Sequence, residues 1–388
     1  HQKNVADLCA QYCSVASLKK TAYIIGLNHD DGKNTMKSWQ PYFINKIQKK
    51  IYERGEKLDH STLGGLVIAS YEPKSIFAEI AAIAVFMHHG ITDCVSVSDG
   101  SSLIFKREKK YKSEEIYEYR AICEREMQKE YERRGLSGVD FSLLCREARR
   151  DFGEVVKKIQ ALPKNEDGKK LYGNRDFYLG LCERLLLSVL ADSDVRDTVD
   201  FTENRVTDTG MSEKEIKKTW EHGLRNLEEK LQRMQSSNEK KSVLNKAREE
   251  ISERCKEAAY FTGKRFRLAV PTGAGKTLSA LRFALKRALL TGKRHIFYIA
   301  PFRSILEQNA DEIRKAMGNA EWVLEHHSDV VIEDEIKNAE YERYIENWDE
   351  IPIIATTAVQ FFDSIFKAKK QNLRRFHSLC NSIIIFDE

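Results

Sequence analysis

The chain lacks several features that would define its class directly. Its 388 residues contain six prolines, and its longest apolar stretch, around Ala81 to Met87, is far too short to cross a bilayer. No charged and then apolar start resembles a signal peptide. None of the eight cysteines forms a C-x-x-C pair, so neither a zinc ribbon nor a redox motif is indicated. These absences predict a cytoplasmic protein without a membrane partner.

Strong charge of one sign is also lacking. The net charge of +5, with 32% charged residues, permits a nucleic-acid partner without requiring one. The 41% hydrophobic content is typical of a globular protein, and the length allows two or three domains. The chain begins at His1 and ends on Asp387-Glu388 directly after an apolar run, so we expect a piece of a longer protein.

The first half of the chain has a helical pattern. Up to about residue 200, apolar residues recur at spacings of three and four. One predicted helix, Ser75 to His89, is apolar on most faces and is expected to be buried, with Gly90 as its stop. Another, Phe177 to Leu190, is expected to end near Asp192 and Asp194. The densely charged residues 105–134 are predicted to form a solvated helical insertion.

The second half alternates strands with helices. The predicted strands are Phe266–Val270, His295–Ala300, Pro352–Thr356 and Ser382–Phe386. This alternation predicts a parallel sheet with helices on both faces. With residues 197–213 interpreted as a linker, we predict an all-α domain at 1–210, a helical connector at 211–258 and an α/β P-loop lobe at 259–388.

A phosphate-binding loop is predicted after the first of these strands. Residues 271–277 read P-T-G-A-G-K-T and precede a helix. Gly273 and Gly275 would let backbone N–H groups converge on phosphate oxygens at the helix N-terminus. Lys276 would reach the β- and γ-phosphates, and Thr277 would hold Mg²⁺. Val270 takes the place of the first glycine of the strict motif, but the T-G-x-G-K-T form is common in helicases. ATP and Mg²⁺ are therefore the predicted ligands.

An acidic pair follows the last predicted strand. Asp387 and Glu388 come after S-I-I-I-F, at the sheet edge where ligands bind in open α/β folds. Asp387 would orient Mg²⁺, and Glu388 would activate the water that attacks the γ-phosphate.

Polar residues at two other strand ends suggest contacts to a single-stranded nucleic acid. Arg303 follows one predicted strand, and Thr356, Thr357 and Gln360 end another. The alternative interpretation is ordinary helix capping by Ser304 and Thr357.

Histidines and carboxylates in the first half predict a metal site. His29-Asp30 follows an apolar helical stretch, Lys33 lies one turn on, and His88-His89 ends the buried helix. Imidazole and carboxylate groups at helix ends can converge on two divalent ions with one bridging carboxylate. Mn, Fe, Co, Ni or similar ions suit histidine ligands better than Mg does, and Lys33 could neutralise phosphate charge. The alternative is that these residues cap helices.

Two further histidines are weaker candidates. His60 lies in Asp59-His60-Ser61, which is also compatible with a simple turn, and His1 could be the remnant of a tag.

The order of these motifs resembles one family. The segments H-x-x-x-V-A, N-H-D-D-G-K, D-H-S, H-H-G and A-D-S-D-V-R-D-T precede L-A-V-P-T-G-A-G-K-T, A-P-F-R-S-I-L-E-Q, T-T-A-V-Q-F-F-D-S-I-F and I-I-I-F-D-E. Together they resemble the nuclease-helicase of type I CRISPR interference, an HD nuclease fused to a superfamily-two helicase. Each motif recurs in many proteins, whereas their fusion in this order is much more specific.

The resemblance implies ligand sets for two ions. One ion would take His1, His29, Asp30 and Asp194, with Asp194 preferred over Asp192. The other would take Asp30, His60, His88 and His89. Asp31-Gly32 departs slightly from the family's usual apolar-Gly pair before the lysine.

The resemblance also implies an activity and partners. It implies cleavage of single-stranded DNA, translocation 3′ to 5′ on DNA, and recruitment by a crRNA-guided surveillance complex to degrade invading DNA. Such proteins have a second RecA-like lobe, which is not present before Glu388, so we expect this chain to bind ATP poorly and not to translocate.

Two other functions stay open from the sequence. One is an HD phosphohydrolase that acts on small nucleotides, although such enzymes rarely need a motor lobe. The other is a non-catalytic module that docks on a protein–RNA assembly, which His29-Asp30 and His88-His89 argue against.

Overall fold

The structure is a computed structural model that describes residues 1–34, 60–96, 98–109, 111–133, 140–162, 174–203, 210–236, 242–327 and 343–387. It divides into two compact units. The first comprises His1–Thr207 and Ala368–His377, and the second comprises Asp208–Lys367 and Ser378–Glu388. None of the described helices is long and apolar enough to cross a membrane.

The first unit is helical, as predicted; among its described residues there is also an isolated β-bridge between Val95 and Ser102. In chain order its helices are α1 (Gln2–Tyr12), α2 (Lys19–Asn28), α3 (Ser61–Tyr71), α4 (Ile76–Phe86), α5 (Leu103–Glu108), α6 (Ser113–Arg133), α7 (Phe141–Gln160), α8 (Asn174–Thr202) and α14 (Lys370–Arg374). Short 3-10 turns at Ala16–Leu18 and Asp31–Asn34 flank α2.

Close packing between α1 and α2 depends on a glycine. A Cβ atom on Gly26 would lie 2.7 Å from the Ala6 Cα atom, closer than side chains tolerate. The absent side chain therefore lets the two helices approach at this point. This contact brings the N-terminus of α1 near the end of α2.

Helix α4 is the buried helix of the apolar stretch. The Ser75 hydroxyl caps it by accepting a hydrogen bond from the Ala78 amide, and almost every residue from Phe77 to Phe86 is buried. The helix ends at Phe86 rather than at His89, so Gly90 is not its stop. His88 and His89 consequently lie in the turn beyond it.

Helix α8 runs through Asp192 and Asp194 to Thr202, so the prediction that it ends near these two aspartates was wrong. Polar side chains of this run form hydrogen bonds within the helix. The Thr198 hydroxyl donates to the Asp194 carbonyl at 2.8 Å, and the Arg196 guanidinium contacts Asp192 one turn away at 3.2 Å. Part of the predicted linker at 197–213 is therefore helix, and its residues 204–209 lie outside the described residues.

The charged insertion at 105–134 is not wholly solvated. It overlaps α5 and α6, and Tyr119 of α6 is buried against Leu63 and Val67 of α3. The Tyr71 hydroxyl donates to Glu124 at 2.7 Å. One face of α6 thus belongs to the core of the first unit, while Lys110 and Arg134 lie outside the described residues.

The second unit is built on a parallel sheet, as predicted. Its elements are α9 (Glu213–Ser236), α10 (Val243–Ala258), α11 (Lys276–Thr291), β1 (His295–Ala300), α12 (Arg303–Met317), β2 (Val323–His326), β3 (Ile353–Thr357), α13 (Ala358–Phe366) and β4 (Ser382–Phe386). The strand order is β2-β3-β1-β4, and every pairing is parallel. The predictions for β1 and β4 are confirmed, β3 is displaced by one residue, and β2 was missed because it is only four residues long.

The predicted strand Phe266–Val270 was wrong. These residues contain no strand, and most of them are exposed. Phe266 packs on Phe283 of α11 with ring centroids 4.9 Å apart. Local apolar and β-branched content favours extended backbone, but a strand also needs a hydrogen-bonded neighbour, which the residue pattern does not specify.

Helices α9 and α10 pack into the second unit. Trp220 of α9 is buried and its indole N–H donates to the Lys293 carbonyl at 2.8 Å. Arg282 of α11 donates to Glu228 of α9 and to Glu253 of α10, at 2.8 Å in each case. The residues predicted as a connector therefore contribute to the core around α11.

Candidate metal centre and nucleotide site

A glycine places the loop that carries Asp30. Asp30 lies between the end of α2 and the turn Asp31–Asn34. The Gly32 amide donates to the His60 carbonyl at 3.0 Å, and a Cβ atom on Gly32 would lie 2.5 Å from the His60 Cα atom. Only a residue without a side chain permits this approach. The close approach of Gly32 to His60 holds Asp30 beside His60, the residue that precedes α3.

Asp31 reinforces the same loop. Its carboxylate is buried and accepts hydrogen bonds from Asn28 at 2.7 Å and from Gln2 at 2.9 Å. Asp31 stands where the family usually has an apolar residue, and polar side chains on α1 and α2 satisfy its buried carboxylate.

The two oxygens of Asp30 face two different groups of histidines. Oδ2 lies 3.7 Å from His1 Nε2 and 3.5 Å from His29 Nε2. Oδ1 lies 3.5 Å from His60 Nε2 and 3.8 Å from His88 Nε2. Potential ligand atoms of His1, His29 and Asp30 fall within 4.8 Å of one another, as do those of Asp30, His60, His88 and His89. Asp30 is shared by both groups, as a bridging carboxylate must be.

The buried histidines present the nitrogen that a metal ion would use. The Nδ1–H groups of His29 and His88 donate to the carbonyls of Gly26 and Val85, each at 2.7 Å. Their Nε2 atoms are therefore the unprotonated ones in the neutral ring, and both are buried without a hydrogen-bond partner, as is Asp30 Oδ1. Carbonyl-anchored imidazoles are typical metal ligands, and burial lowers the pKa of both rings. These residues fit divalent ions.

His60 and His89 complete the second group. Their Nε2 atoms are 2.5 Å apart. Burial, with the neighbouring His60 and Lys370 acting in the same direction, lowers the pKa of His89 to about 4. The His89 ring is therefore neutral near pH 7, as a ligand requires.

Asp194 and Asp192 differ sharply in their surroundings, although both lie on α8. Asp194 Oδ1 is 3.5 Å from His1 Nε2 and 3.8 Å from His29 Nε2. Burial would raise the pKa of Asp194, but the hydrogen bond from His1 and the charge of Lys370 lower it. Asp192 Oδ1 accepts instead from Arg374 at 2.9 Å. The geometry thus brings Asp194, and not Asp192, to the cluster.

His1 is held in the cluster by a residue that the sequence patterns did not single out. Its Nδ1 atom lies 2.6 Å from Asp197 Oδ2, three residues after Asp194 on the same face of α8. Hydrogen bonds from the His1 ring to the carboxylates of Asp194 and Asp197 raise the pKa of His1 despite partial burial. The three-residue spacing of the two aspartates was the available signal.

Lys33 adds positive charge beside the shared carboxylate. Its ammonium group lies 2.5 Å from Asp30 Oδ2. Burial would raise the pKa of Asp30, but His29 and Lys33 together lower it. Asp30 therefore stays ionised near neutral pH.

In the second unit, two glycines shape the predicted phosphate loop. Gly273 and Gly275 have φ values of +81° and +80°, which L side chains rarely adopt. Gly275 precedes Lys276, the first residue of α11, so the loop ends at a helix N-terminus. Backbone N–H groups at such a terminus favour bound phosphate.

Asp387 lies at the centre of a polar network beside this loop. Its Oδ1 atom is 3.3 Å from Lys276 Nζ, and its Oδ2 atom accepts from Tyr298 at 2.6 Å and from Asn309 at 3.2 Å. The Thr277 hydroxyl donates to Asn309 Oδ1 at 3.0 Å. Burial and the Asp387 carboxylate raise the pKa of Tyr298.

The network joins three predicted residues, Lys276, Thr277 and Asp387, to two that the sequence patterns missed. Tyr298 and Asn309 lie on β1 and α12, and no local motif marks them. Glu388 lies outside the described residues.

The predicted nucleic-acid residues do not share one environment. Thr356 is fully buried and its hydroxyl donates to the His326 carbonyl at 2.9 Å, so the structure does not offer it to a ligand; every residue of β3 is buried. The Thr357 hydroxyl caps α13 by accepting from the Gln360 amide at 3.4 Å, and Gln360 is half-buried. Arg303 is exposed at the start of α12, where Ser304 is not the cap.

Comparison with known proteins identifies part of the second unit. The family model described as DEAD/DEAH box helicase matches residues 249–388. The match shows a helicase domain, most of which lies in the second unit. The family implies ATP and Mg²⁺ as ligands and nucleic acid as a partner. No curated protein matches the chain.

Solved structures similar to the chain include T. fusca Cas3-AMPPNP, at 13% identity and a TM-score of 0.50, and T. fusca Cas3, at 15% identity and a TM-score of 0.48. Each alignment covers 99% of this chain and 42% of the solved chain. The chain thus spans less than half the length of these proteins. At 13% identity, the similarity to the first of these structures concerns the multi-domain fold alone.

Proposed function

We propose that the chain is part of a metal-dependent single-stranded DNA nuclease coupled to an ATP-dependent 3′ to 5′ helicase. The observation that carries the nuclease assignment is the placement of Asp30, whose two oxygens face His1 and His29 on one side and His60 and His88 on the other. A carboxylate shared between two histidine groups suits a pair of divalent ions.

Two ligand sets follow for such ions. One comprises His1, His29, Asp30 and Asp194, and the other comprises Asp30, His60, His88 and His89. Divalent ions, such as Mn, Fe, Co or Ni, would polarise a phosphodiester and provide a nucleophile from water near neutral pH. The protein's own part is to hold the imidazoles of His29, His88 and His89 neutral, Asp30 ionised and Lys33 close to the developing phosphate charge.

The helicase domain would supply directed movement on DNA. Gly273, Gly275 and Lys276 would bind the phosphates of ATP, while Thr277 and Asp387 would hold Mg²⁺ and Glu388 would activate water. Arg303 and Gln360 are the surface-accessible candidates for the DNA backbone, and Thr357 would act by capping α13.

The biological setting is proposed from the motif order and the fold. The motifs resemble the nuclease-helicase of type I CRISPR interference, and the similar solved structure is named Cas3. We infer that a crRNA-guided surveillance complex recruits the protein to displaced single-stranded DNA, which it degrades in the cytoplasm.

The decisive experiment is cleavage of circular single-stranded DNA by this chain without ATP. Mn²⁺ or Ni²⁺ is added, EDTA serves as the metal-free control, and bound metal is measured in the same preparation. Circular DNA detects internal cuts because it has no ends. Asp30→Ala is the test variant, and Asp7→Ala, which removes an exposed carboxylate from α1, is the matched control.

We expect metal-dependent cutting by the parent chain and by Asp7→Ala, and none by Asp30→Ala, because the shared ligand is lost while the fold is kept. Cutting by Asp30→Ala at the parental rate would contradict the two-ion site. Hydrolysis of a small phosphodiester such as bis(p-nitrophenyl) phosphate, with DNA left intact, would favour a small-nucleotide phosphohydrolase. Absence of bound metal would favour a docking module.

A further inference from the structure

A short segment late in the sequence belongs to the first unit. Residues Ala368–His377 follow α13 of the helicase domain, but they fold with the helical unit. Arg374 of α14 donates to Asp192 of α8 at 2.9 Å, and the His377 amide donates to the Ser188 hydroxyl at 3.0 Å. Since Asp192, Ser188 and Arg374 are all buried, these bonds fix the segment along α8.

This anchoring brings Lys370 to the candidate metal centre. The Lys370 ammonium group lies 3.2 Å from Asp194 Oδ2, whereas the other oxygen, Oδ1, faces His1 and His29. Asp194 can therefore present one oxygen to an ion and the other to Lys370. The Lys370 side chain is 29% exposed, so it remains within reach of a large ligand.

Two lysines now flank the cluster. Lys33 contacts Asp30 Oδ2 and Lys370 contacts Asp194 Oδ2. The carboxylates of Asp30, Asp194 and Asp197 together carry less charge than two divalent ions and two ammonium groups. An ion-loaded site would thus carry a large excess of positive charge, which an anionic ligand can offset.

We propose that Lys370 is a substrate-binding residue of this site and contacts a non-bridging phosphate oxygen of single-stranded DNA. The inference rests on the proposed nuclease function. An ammonium group on a flexible stem can turn from Asp194 to a phosphate when ions take up the charge of the carboxylate. The contact is supplied by residues that lie after the phosphate-binding loop in sequence, so residues 1–210 alone do not contain the whole candidate site.

The alternative role for Lys370 is to offset the charge of Asp194. The two roles predict that Lys370→Ala changes different quantities. Loss of a mere counter-charge would strengthen metal binding and leave the affinity for DNA unchanged. Loss of a phosphate contact would weaken DNA binding at saturating metal.

The experiment compares Lys370→Ala, Lys370→Arg and Lys369→Ala in the whole chain. Lys369 is the adjacent, exposed lysine, so its replacement makes the same charge change away from Asp194. The measurements are Mn²⁺ content and, at saturating Mn²⁺, the KM and kcat for cleavage of a short oligothymidylate. A short oligonucleotide confines binding to the neighbourhood of the cut.

We expect Lys370→Ala to raise KM about tenfold and to leave the Mn²⁺ content at the parental value. A tenfold change corresponds to the loss of one charge-assisted hydrogen bond. Lys370→Arg should restore most of the affinity, and Lys369→Ala should behave as the parent. An unchanged KM in Lys370→Ala, or a change in Mn²⁺ binding alone, would overturn the role of Lys370 while leaving the nuclease intact. Absence of cleavage by the parent chain would overturn the proposed function and, with it, this inference.

Discussion

The candidate metal centre and the nucleotide site satisfy their polar atoms in different ways. In the metal centre, His29 Nε2, His88 Nε2 and Asp30 Oδ1 are buried without hydrogen-bond partners. In the nucleotide site, Asp387 Oδ1 is also buried without a hydrogen-bond partner, but it forms an ion pair with Lys276, and Oδ2 accepts from Tyr298 and Asn309. The first site is preorganised for ligands, since its imidazoles are already anchored. In the second, the Lys276–Asp387 ion pair would give way to phosphate and Mg²⁺ contacts, as the lysine pairs of Asp30 and Asp194 would to ions in the first.

The largest predicted effect concerns the stability of α8, which carries Asp194 of the metal centre and the neighbouring Asp192. Asp192→Ala removes a fully buried carboxylate that contacts Arg196 and Arg374. We expect it to lower the free energy of unfolding by about 3 kcal/mol, because breaking a buried ion pair leaves charge behind. Chemical denaturation followed by circular dichroism measures the loss.

Asp194→Asn is the matched variant on the same helix. It should lose bound Mn²⁺ with a much smaller change in stability. If both variants lost stability equally and kept their metal, the distinction between the two aspartates would fail.

A second prediction separates the two sites. Lys276→Ala should lower the affinity for MgATP about a hundredfold, because a charge-assisted contact to phosphate is lost. Metal-dependent cleavage of DNA should stay at the parental rate. Titration with a fluorescent ATP analogue and the cleavage assay check both parts on one preparation. Equal loss of both activities would show that the sites are not independent.

A smaller effect is expected at Asp197, which contacts His1 Nδ1 at 2.6 Å. Asp197→Asn should weaken Mn²⁺ binding about tenfold, because a carboxylate behind a ligating imidazole orients the ring and raises its basicity. Competition with a metal-sensitive dye measures the affinity. Asp200→Asn, three residues further along α8, serves as the control and should bind Mn²⁺ as the parent does. An affinity equal to that of the parent in Asp197→Asn would mean that His1 needs no such support.

Much of the fold was predictable because local patterns reported local structure. The spacing of apolar residues indicated the helical first unit, and the runs at 295–300 and 382–386 coincide with β1 and β4. The pattern failed where pairing decided the outcome. Residues 266–270 have strand composition without strand pairing, and α8 continues through a polar run whose partners lie elsewhere.

The candidate sites divide in the same way. Motif spacing predicted His29, Asp30, His88 and Lys276 as candidates, because these residues stand next to helix ends or in a glycine-rich loop. It could not identify Asn309, Tyr298 or Lys370. Each of these side chains forms a hydrogen bond with a residue 32 to 176 positions away in the sequence. No short-range periodicity predicts such a contact.

The sequence by itself determined which residue types were available: a histidine and aspartate set in a helical half, and a phosphate-binding loop in a strand and helix half. Only the tertiary structure decided how they are used. It turned the two oxygens of Asp30 toward different histidines, assigned Asp192 to arginines and Asp194 to the cluster, and brought Lys370 to α8. The physical reason is that ligand geometry and charge pairing act over a few ångströms in space. Residues far apart in the chain meet these distances only after the chain is packed.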